Sequence, residues 1–371
     1  MAALSNLKYT DLYEILLKLP DIESYDLPKD DIGKTDDLFI CALGFEDRCL
    51  HIPEIITAIG NYSATHSIYF EYSTNQSDNE LNKPRLLEAL ESFSDQVWPI
   101  PCDTDEFPSQ LRTLLGGVTP IKDTACITFD ISVCSSRLLV TCLTILLEFD
   151  FNLRIVYSEA NIYHPTEEEY NTNPEKWTQD EELGVARGVS AVTPSPDHPG
   201  SRRDNLPESV IAFPTFKPER VRAIIAHIDP PLIIRPNQRV IWLIGKPHLE
   251  EDHWRSKIQL TINRIPSSEP VYEVTTFDYK ESLKLLENIY QTLESKYHIN
   301  IAPLGSKMQS LGVVLFWYIR PEISIIFASP LEYNAIQYSE GCKATWRIDF
   351  GSLTDIRSFL NQVGELTVHD S

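Results

Sequence analysis

Two short polar segments of this 371-residue chain carry residue types that suit the binding of an anion. One is Asp130-Ile-Ser-Val-Cys-Ser-Ser-Arg137, and the other is Gly305-Ser-Lys307 followed by Gln309 and Ser310. Each stands between an apolar run typical of a strand and one typical of a helix. Backbone N–H groups and the helix dipole favour an anion at such a helix start. We therefore predict ligand contacts from Asp130, Ser135, Ser136, Arg137, Gly305, Ser306 and Lys307.

Two further segments end apolar strands and supply charge, namely Gly44-Phe-Glu-Asp-Arg48 and Gly245-Lys-Pro-His248. We expect Arg48 and Lys246 to screen the charge of a ligand, and Asp130 to orient a ribose hydroxyl or the turn itself. A structural explanation competes with each of these roles. Serines at helix starts cap N–H groups without any ligand, and charged loop residues are commonly only solvated.

Evidence for catalysis is thin. Glu46 and Asp130 are the carboxylates placed to act as a general base, and His248 or His253 could serve instead. The sequence contains no H-E-x-x-H or G-x-S-x-G pattern, and Gly305-Ser-Lys307 is not a Walker A loop. We predict no metal and no cofactor, and the catalytic residues stay unknown. Four tyrosines follow the last strand of each half and could stack on a base: Tyr157, Tyr163, Tyr333 and Tyr338.

Composition excludes several function classes. The formal charge of -22 repels nucleic-acid phosphates and anionic membranes, so we expect no extended nucleic acid and no membrane as partner. The longest apolar runs fall short of the ~20 residues that a membrane span needs. No secretory signal is evident at the start, and we expect a cytoplasmic location. The seven cysteines show no C-x-x-C pair, which indicates reduced thiols.

Alternating strand and helix patterns predict an α/β fold of two Rossmann-like units with mostly parallel sheets. The predicted segments are an N-terminal helix with its connector (1–36), a first unit (37–163), a Pro/Glu-rich linker or lid (164–207) and a second unit (208–371). The two halves share an order of predicted strands and helices, in which the strand at 38–44 corresponds to the strand at 240–245. This similarity fits an internal duplication, and it fits two separate doubly wound units equally well. Such units would bring Arg137 and Lys307 to one cleft.

Proline, glutamate, asparagine and serine dominate the predicted linker. We expect its His164 and His198 to be exposed to solvent, and Arg202-Arg203 to be either a basic clip or an ordinary solvated pair.

The segments Asp130 to Arg137 and Gly305 to Ser310 resemble the strand-turn-helix crest of CRISPR-associated Rossmann-fold (CARF) sensor domains. The duplicated plan is similar to SAVED domains, fused pairs of such units in prokaryotic antiviral defence. This resemblance implies recognition of an oligonucleotide messenger between two crests. No nuclease, protease or TIR-like effector module is evident, which departs from the usual sensor-effector fusion.

These observations predict a sensor or subunit of a prokaryotic defence or regulatory complex that binds a nucleotide-type small anion. A protein partner or a homo-oligomer would then pass on the signal. Two alternatives stay open: a hydrolase or transferase acting on a phosphorylated substrate, and a scaffold in which the serine turns are only helix caps.

Overall fold

A computed structural model describes residues 16–25, 35–118, 120, 124–172, 174, 186–201, 206–234, 238–335 and 338–368. Most of the predicted N-terminal helix, as well as Arg202 and Arg203, lies outside these residues. Within the described part of the chain, no helix is both long and apolar enough to cross a membrane.

Strands and helices alternate along the chain. The strands are β1 (Glu23–Ser24), β2 (Thr35–Ala42), β3 (Ser63–Glu71), β4 (Ser94–Pro101), β5 (Cys126–Asp130), β6 (Asn152–Glu159), β7 (Ile162–Tyr163), β8 (Ala186–Arg187), β9 (Ala191–Pro199), β10 (Glu208–Phe213), β11 (Val240–Lys246), β12 (Val271–Thr275), β13 (His298–Pro303), β14 (Ser324–Ser329), β15 (Glu332–Tyr333), β16 (Ser339–Glu340) and β17 (Ala344–Ser352). The helices are α1 (Arg48–Ile59), α2 (Gln76–Phe93), α3 (Phe107–Gly116), α4 (Ser136–Leu146), α5 (Glu167–Thr172), α6 (Pro218–Ile228), α7 (Pro231–Ile234), α8 (Trp254–Ile262), α9 (Tyr279–Leu293), α10 (Lys307–Ile319) and α11 (Leu353–Val368), with a 3₁₀ turn at Glu250–Asp252.

The chain forms two compact units. The first unit comprises Pro20–Thr166 and Tyr333–Phe359. The second comprises Glu167–Glu332 with the described residues of Met1–Leu19 and Leu360–Ser371. The predicted boundaries placed residues 333–359 in the second unit. Strand β17 instead pairs antiparallel with β6, because the chain returns to the edge of the first sheet.

The first unit is a doubly wound sheet. Its strand order is β1-β17-β6-β5-β2-β3-β4, and β2 to β6 are all parallel. Alternate strand residues point to opposite faces. Phe39 on β2 therefore packs with Leu50 and Leu86 of α1 and α2, whereas Phe70 on β3 meets Phe107 of α3 on the other face at 5.3 Å between ring centroids.

The second unit has the same strand order. Its sheet runs β12-β11-β10-β13-β14-β9, with β10 to β14 parallel and β9 antiparallel to β14. Counting only the parallel strands, both sheets read 3-2-1-4-5, the doubly wound arrangement. The predicted fold class is therefore shown. The predicted match of 38–44 with 240–245 is wrong. The first parallel strand of the second sheet is β10, which is central like β2, so residues 240–245 on β11 correspond to β3 and not to β2.

The predicted linker contains ordered structure. Strand β9 pairs with β14 at the sheet edge, where prolines such as Pro194 and Pro199 are tolerated because the outer N–H groups need no partner. The expected exposure of His198 is wrong, since its side chain is 0% exposed and meets the Ser195 hydroxyl at 2.6 Å. His164 is also largely covered, and its Nε2 lies 3.0 Å from Glu340 Oε1.

Candidate functional site

Ligands of open α/β sheets bind outside the carboxyl ends of the strands, where the strand order reverses. This point lies between β2 and β5 in the first sheet and between β10 and β13 in the second. We call residues 43–48 and 130–137 the first crest, and residues 214–217, 245–248, 276–277 and 303–309 the second crest. The predicted ligand-binding residues and Glu46 fall in these two regions, whereas His253 and the four predicted stacking tyrosines lie outside both.

The turn after β5 is built around Asp130, which is only 2% exposed. Its Oδ1 accepts hydrogen bonds from the Ser132 hydroxyl and from Ser132 N at 2.9 Å. The Ser132 hydroxyl oxygen in turn accepts from Ser158 N at 2.8 Å. Of the two roles predicted for Asp130, orienting the turn is therefore the one that these contacts show.

Helix α4 begins directly after this turn. Ser135 is its N-cap, and the Ser135 hydroxyl accepts from Leu138 N at 3.2 Å. Ser135 N donates to the half-buried Tyr72 hydroxyl at 2.8 Å, so the residue that follows β3 also supports the turn. Ser136 and Arg137, the first two helical residues, are half-buried, and neither side chain has a hydrogen-bond or ion-pair partner among the described residues.

Glu46 and Arg48 form a buried ion pair in the first crest, with exposures of 7% and 2%. Arg48 donates to Glu46 through Nε and Nη2, and to Ser158 O through Nη1 at 3.1 Å. Glu46 also accepts from the Ser339 hydroxyl. Burial lowers the pKa of Arg48, but Glu46, Tyr163 and Tyr157 together raise it by more, and the pKa lies well above its usual value. Glu46 thus neutralises the charge of Arg48 within the first unit, and the role of Arg48 in screening a ligand stays a prediction.

Aromatic side chains cover the loop after β2. The Phe45 ring lies 6.1 Å from that of Tyr333 and 5.5 Å from that of Tyr338. The Tyr333 backbone is held by Asn75, which donates to Tyr333 O at 2.8 Å and accepts from Tyr333 N at 2.9 Å. Tyr163 lies under Arg48, with 5.6 Å from the guanidinium carbon to the ring centroid. The four predicted stacking tyrosines therefore all belong to the first unit.

The second crest begins helix α10 with a capping box. The Ser306 hydroxyl accepts from Gln309 N at 3.1 Å, and Gln309 Oε1 accepts from Ser306 N at 2.9 Å. The Ser306 hydroxyl also donates to Thr276 O at 2.6 Å, which ties the helix start to the end of β12. This arrangement stabilises the helix start by itself, as the cap explanation requires.

Glycine is needed at two positions of the second crest. A Cβ on Gly305 would lie 2.1 Å from Gln309 Oε1 and 3.2 Å from Phe213 Cβ. A Cβ on Gly245 would lie 2.8 Å from Thr276 Cγ2. The two glycines thus let the turn, the capping glutamine and strand β12 approach one another closely.

The second crest also contains charged side chains and aromatic rings. Lys246 and His248 are exposed, and Lys307 is half-buried at the first helical position. The His248 and Phe277 rings lie 4.3 Å apart at an interplanar angle of 32°. The common cleft for Arg137 and Lys307 stays a prediction.

The two carboxylates predicted as possible general bases have internal hydrogen-bond partners. Glu46 and the Oδ1 atom of Asp130 accept internal hydrogen bonds, and no cluster of three metal-ligating side chains occurs among the described residues. All seven cysteines are free thiols and five are buried. Burial raises the pKa of Cys49 to about 12, which keeps this thiol protonated and unreactive.

Sequence reasoning missed several residues that position the crests, namely Tyr72, Ser132, Ser158, Thr276 and Ser339. Tyr72 and Thr276 directly follow strand patterns, and that position was a usable signal. Ser132 lies two residues beyond Asp130, the spacing at which an Asp side chain commonly accepts from the backbone. Ser339 carries no local signal, because its contact with Glu46 spans 293 residues.

Comparisons with known proteins give a weak, fold-level similarity. No protein-family model and no curated protein sequence matches this chain. A type III CRISPR defence DNA nuclease activated by cyclic oligoadenylate aligns with a TM-score of 0.44 and 9% identity, over 76% of this chain and 63% of that one. This chain thus spans less than two thirds of that nuclease.

Two further solved structures align less well. A functionally unknown protein from Pseudomonas aeruginosa gives a TM-score of 0.23 and 11% identity over 90% of this chain and 98% of that one. The cytoplasmic domain of a prokaryotic cation chloride cotransporter gives 0.22 and 10% over 82% and 99%.

Proposed function

We propose that this chain binds a nucleotide-type anion at the helix starts of its crests and acts as a sensor or subunit that passes the binding signal to a partner protein. The observation that carries this proposal is the position of Arg137. It occupies the second residue of the switch-point helix α4, where the positive end of the helix dipole disfavours a cation.

Two other arginines in first helical turns have carboxylate partners, and Arg220 in α6 donates to the backbone carbonyl of Ala328 at 2.7 and 2.9 Å. Arg48 in α1 pairs with Glu46, and Arg255 in α8 lies 3.5 Å from Asp252. Arg137 has no such partner among the described residues, although the chain carries 54 acidic residues against 32 basic ones. A bound phosphate would supply the missing charge and would accept from the helix N–H groups.

Lys307 likewise places a cation at a helix start, as the first residue of α10, the equivalent helix of the second unit. The first turn of α10 contains no acidic residue. Two equivalent helix starts that both carry a cation suit a ligand with phosphate groups. The internal hydrogen bonds of Glu46 and Asp130 give the hydrolase or transferase alternative no specific support.

The narrower form of the proposal names an oligonucleotide messenger of prokaryotic defence as the ligand. It rests on the resemblance of the two turns to CARF and SAVED crests. The ligand panel therefore includes cyclic oligoadenylates beside mononucleotides, dinucleotides and inorganic phosphate.

A thermal-shift screen with this panel, followed by calorimetric titration, tests the proposal. A ligand at 100 times its Kd should stabilise the protein by about 2.7 kcal/mol. Arg137→Ala and Lys307→Ala should each weaken binding of the ligand found by about 10-fold or more, because a hydrogen bond to a charged group contributes about 1.5–3 kcal/mol. The measured stoichiometry distinguishes one site from two.

Arg112→Ala is the matched control. Arg112 lies on α3 and pairs with the exposed Glu148, so the substitution makes the same change in net charge away from both crests. Equal affinities for Arg112→Ala, Arg137→Ala and Lys307→Ala would contradict the proposed site. Absence of stabilisation by any ligand would favour the scaffold explanation.

A further inference from the structure

The second crest places a pair of tilted aromatic rings beside the start of α10, where we propose that an anion binds. Phe277 lies two residues after β12, and its ring lies 4.3 Å from that of His248. His248 follows β11 by two residues and is exposed, whereas Phe277 is half-buried. The His248 side of this ring pair is therefore accessible to solvent, and the Phe277 side is anchored in the unit.

Short hydrogen bonds connect the ring pair to the helix start. The Ser306 hydroxyl donates to Thr276 O at 2.6 Å, and Thr276 N donates to Lys246 O at 2.8 Å. Thr276 precedes Phe277, and Lys246 lies two residues before His248. The backbone segments that carry the two rings and Lys246 are thus hydrogen-bonded to one another and to the start of α10.

This framework is rigid. Gln309 Nε2 donates to Thr275 O at 3.2 Å, and Gly245 N donates to Gln259 Oε1 at 3.1 Å, so both strand ends are tied to helices. Rings held on strand ends are positioned before a ligand arrives, which lowers the entropy cost of binding. An aromatic ring next to cations is the combination that binds a base together with its phosphate.

We propose that the His248–Phe277 ring pair is a nucleobase-stacking platform, and that the second crest therefore selects nucleotides over phosphorylated ligands that lack a base. The inference rests on the proposed function, since it assigns the base-binding part of the same site. The sequence motifs had offered His248 only as a catalytic base and had not singled out Phe277.

Two probes of similar charge separate stacking from phosphate binding: AMP, and ribose 5-phosphate, which lacks the base. Calorimetric titration of the full chain should give tighter binding of AMP by about 5- to 150-fold, the range expected for one stacked base. Phe277→Leu, which keeps an apolar side chain but removes the ring, should reduce AMP affinity by a similar factor and leave ribose 5-phosphate unchanged. Phe277→Trp should retain the preference for AMP.

Tyr272→Ala is the matched control, because Tyr272 is an exposed aromatic residue on β12, outside the crest. It should change neither affinity. Equal binding of the two probes by the wild-type chain, with both weakened by Lys307→Ala, would overturn the stacking platform and leave the anion site standing. Failure of both probes to bind would overturn the platform together with the proposed anion site of this crest.

Discussion

The two crests share a strand order but differ in how their polar groups are used. In the first crest, the loop after β2 is closed by the Glu46–Arg48 pair and by the Ser339 hydroxyl. In the second crest, Lys246 and His248 at the end of β11 are exposed. The topology determines that polar residues lie at the carboxyl ends of the strands. The individual side chains then determine whether these polar groups bond to one another or stay exposed.

Each unit also contains one buried arginine–glutamate pair, but at opposite ends. In the second unit, Arg320 pairs with Glu287 at 2.5 Å, beyond the carboxyl end of α10 and far from the helix start. In the first unit, the pair lies in the crest itself. This difference indicates that the first crest depends on its ion pair for structure, whereas the second crest depends on its capping box and glycines.

The largest expected effect comes from breaking the ion pair of the first crest. Arg48→Ala leaves the buried Glu46 carboxylate without its cation, and we expect it to lower the free energy of unfolding by about 3–5 kcal/mol. Urea unfolding measures the loss. Hydrogen exchange should show increased opening of peptides from β5 and β6, with β13 and β14 unchanged.

The double variant Glu46→Gln with Arg48→Met serves as the control for this prediction. It removes both charges and should recover most of the stability, since the cost comes from one uncompensated charge. A loss below about 1 kcal/mol for Arg48→Ala, or equal exchange in both units, would contradict a structural role of the pair in the first crest.

Local patterns predicted the fold better than the site. Period and composition predicted the strand and helix alternation, because most strands of these parallel sheets are continuous apolar runs covered on both faces. The short strand β10 was recognised as a strand but not as the centre of its sheet. Strand order depends on long-range pairing such as Val210 with Val240, and no local signal encodes it.

The sequence-based predictions failed mainly for polar residues whose hydrogen-bond partners lie inside the protein. Asp36 was assigned to the N-terminal connector, yet it is 2% exposed and accepts from Tyr62 Oη at 2.7 Å. Arg48 looked like a ligand-screening cation because its partners are two and 110 residues away. A charged residue in a loop pattern has the same appearance whether its partner is a distant backbone carbonyl or a ligand.

A smaller effect is expected from filling the close approach in the second crest. Gly305→Ala would place a Cβ 2.1 Å from Gln309 Oε1, so the capping glutamine would have to move. We expect a loss of about 1–3 kcal/mol in the free energy of unfolding, as for other overpacked positions. Chemical denaturation measures it, with hydrogen exchange of peptides from α10 as the local readout.

Gly364→Ala is the matched control for Gly305→Ala. Its Cβ would meet nothing closer than 3.9 Å, and the position lies within helix α11. Alanine there should leave stability unchanged or raise it by up to about 1 kcal/mol, because alanine has the higher helix propensity. If Gly305→Ala behaves like Gly364→Ala, the second crest does not need its glycine.

The smallest effects compare the two helix caps directly. Removing an N-cap hydroxyl costs about 1 kcal/mol, and we expect a loss of that size for Ser135→Ala in the first crest. Ser306→Ala should cost more, because the same hydroxyl accepts from Gln309 N and donates to Thr276 O, which ties α10 to β12. Glycine at either position should cost less than alanine, and urea unfolding of the four variants gives the comparison. Equal losses for both alanine variants would mean that the Thr276 contact adds no stability and that the two crests differ only in their charged side chains.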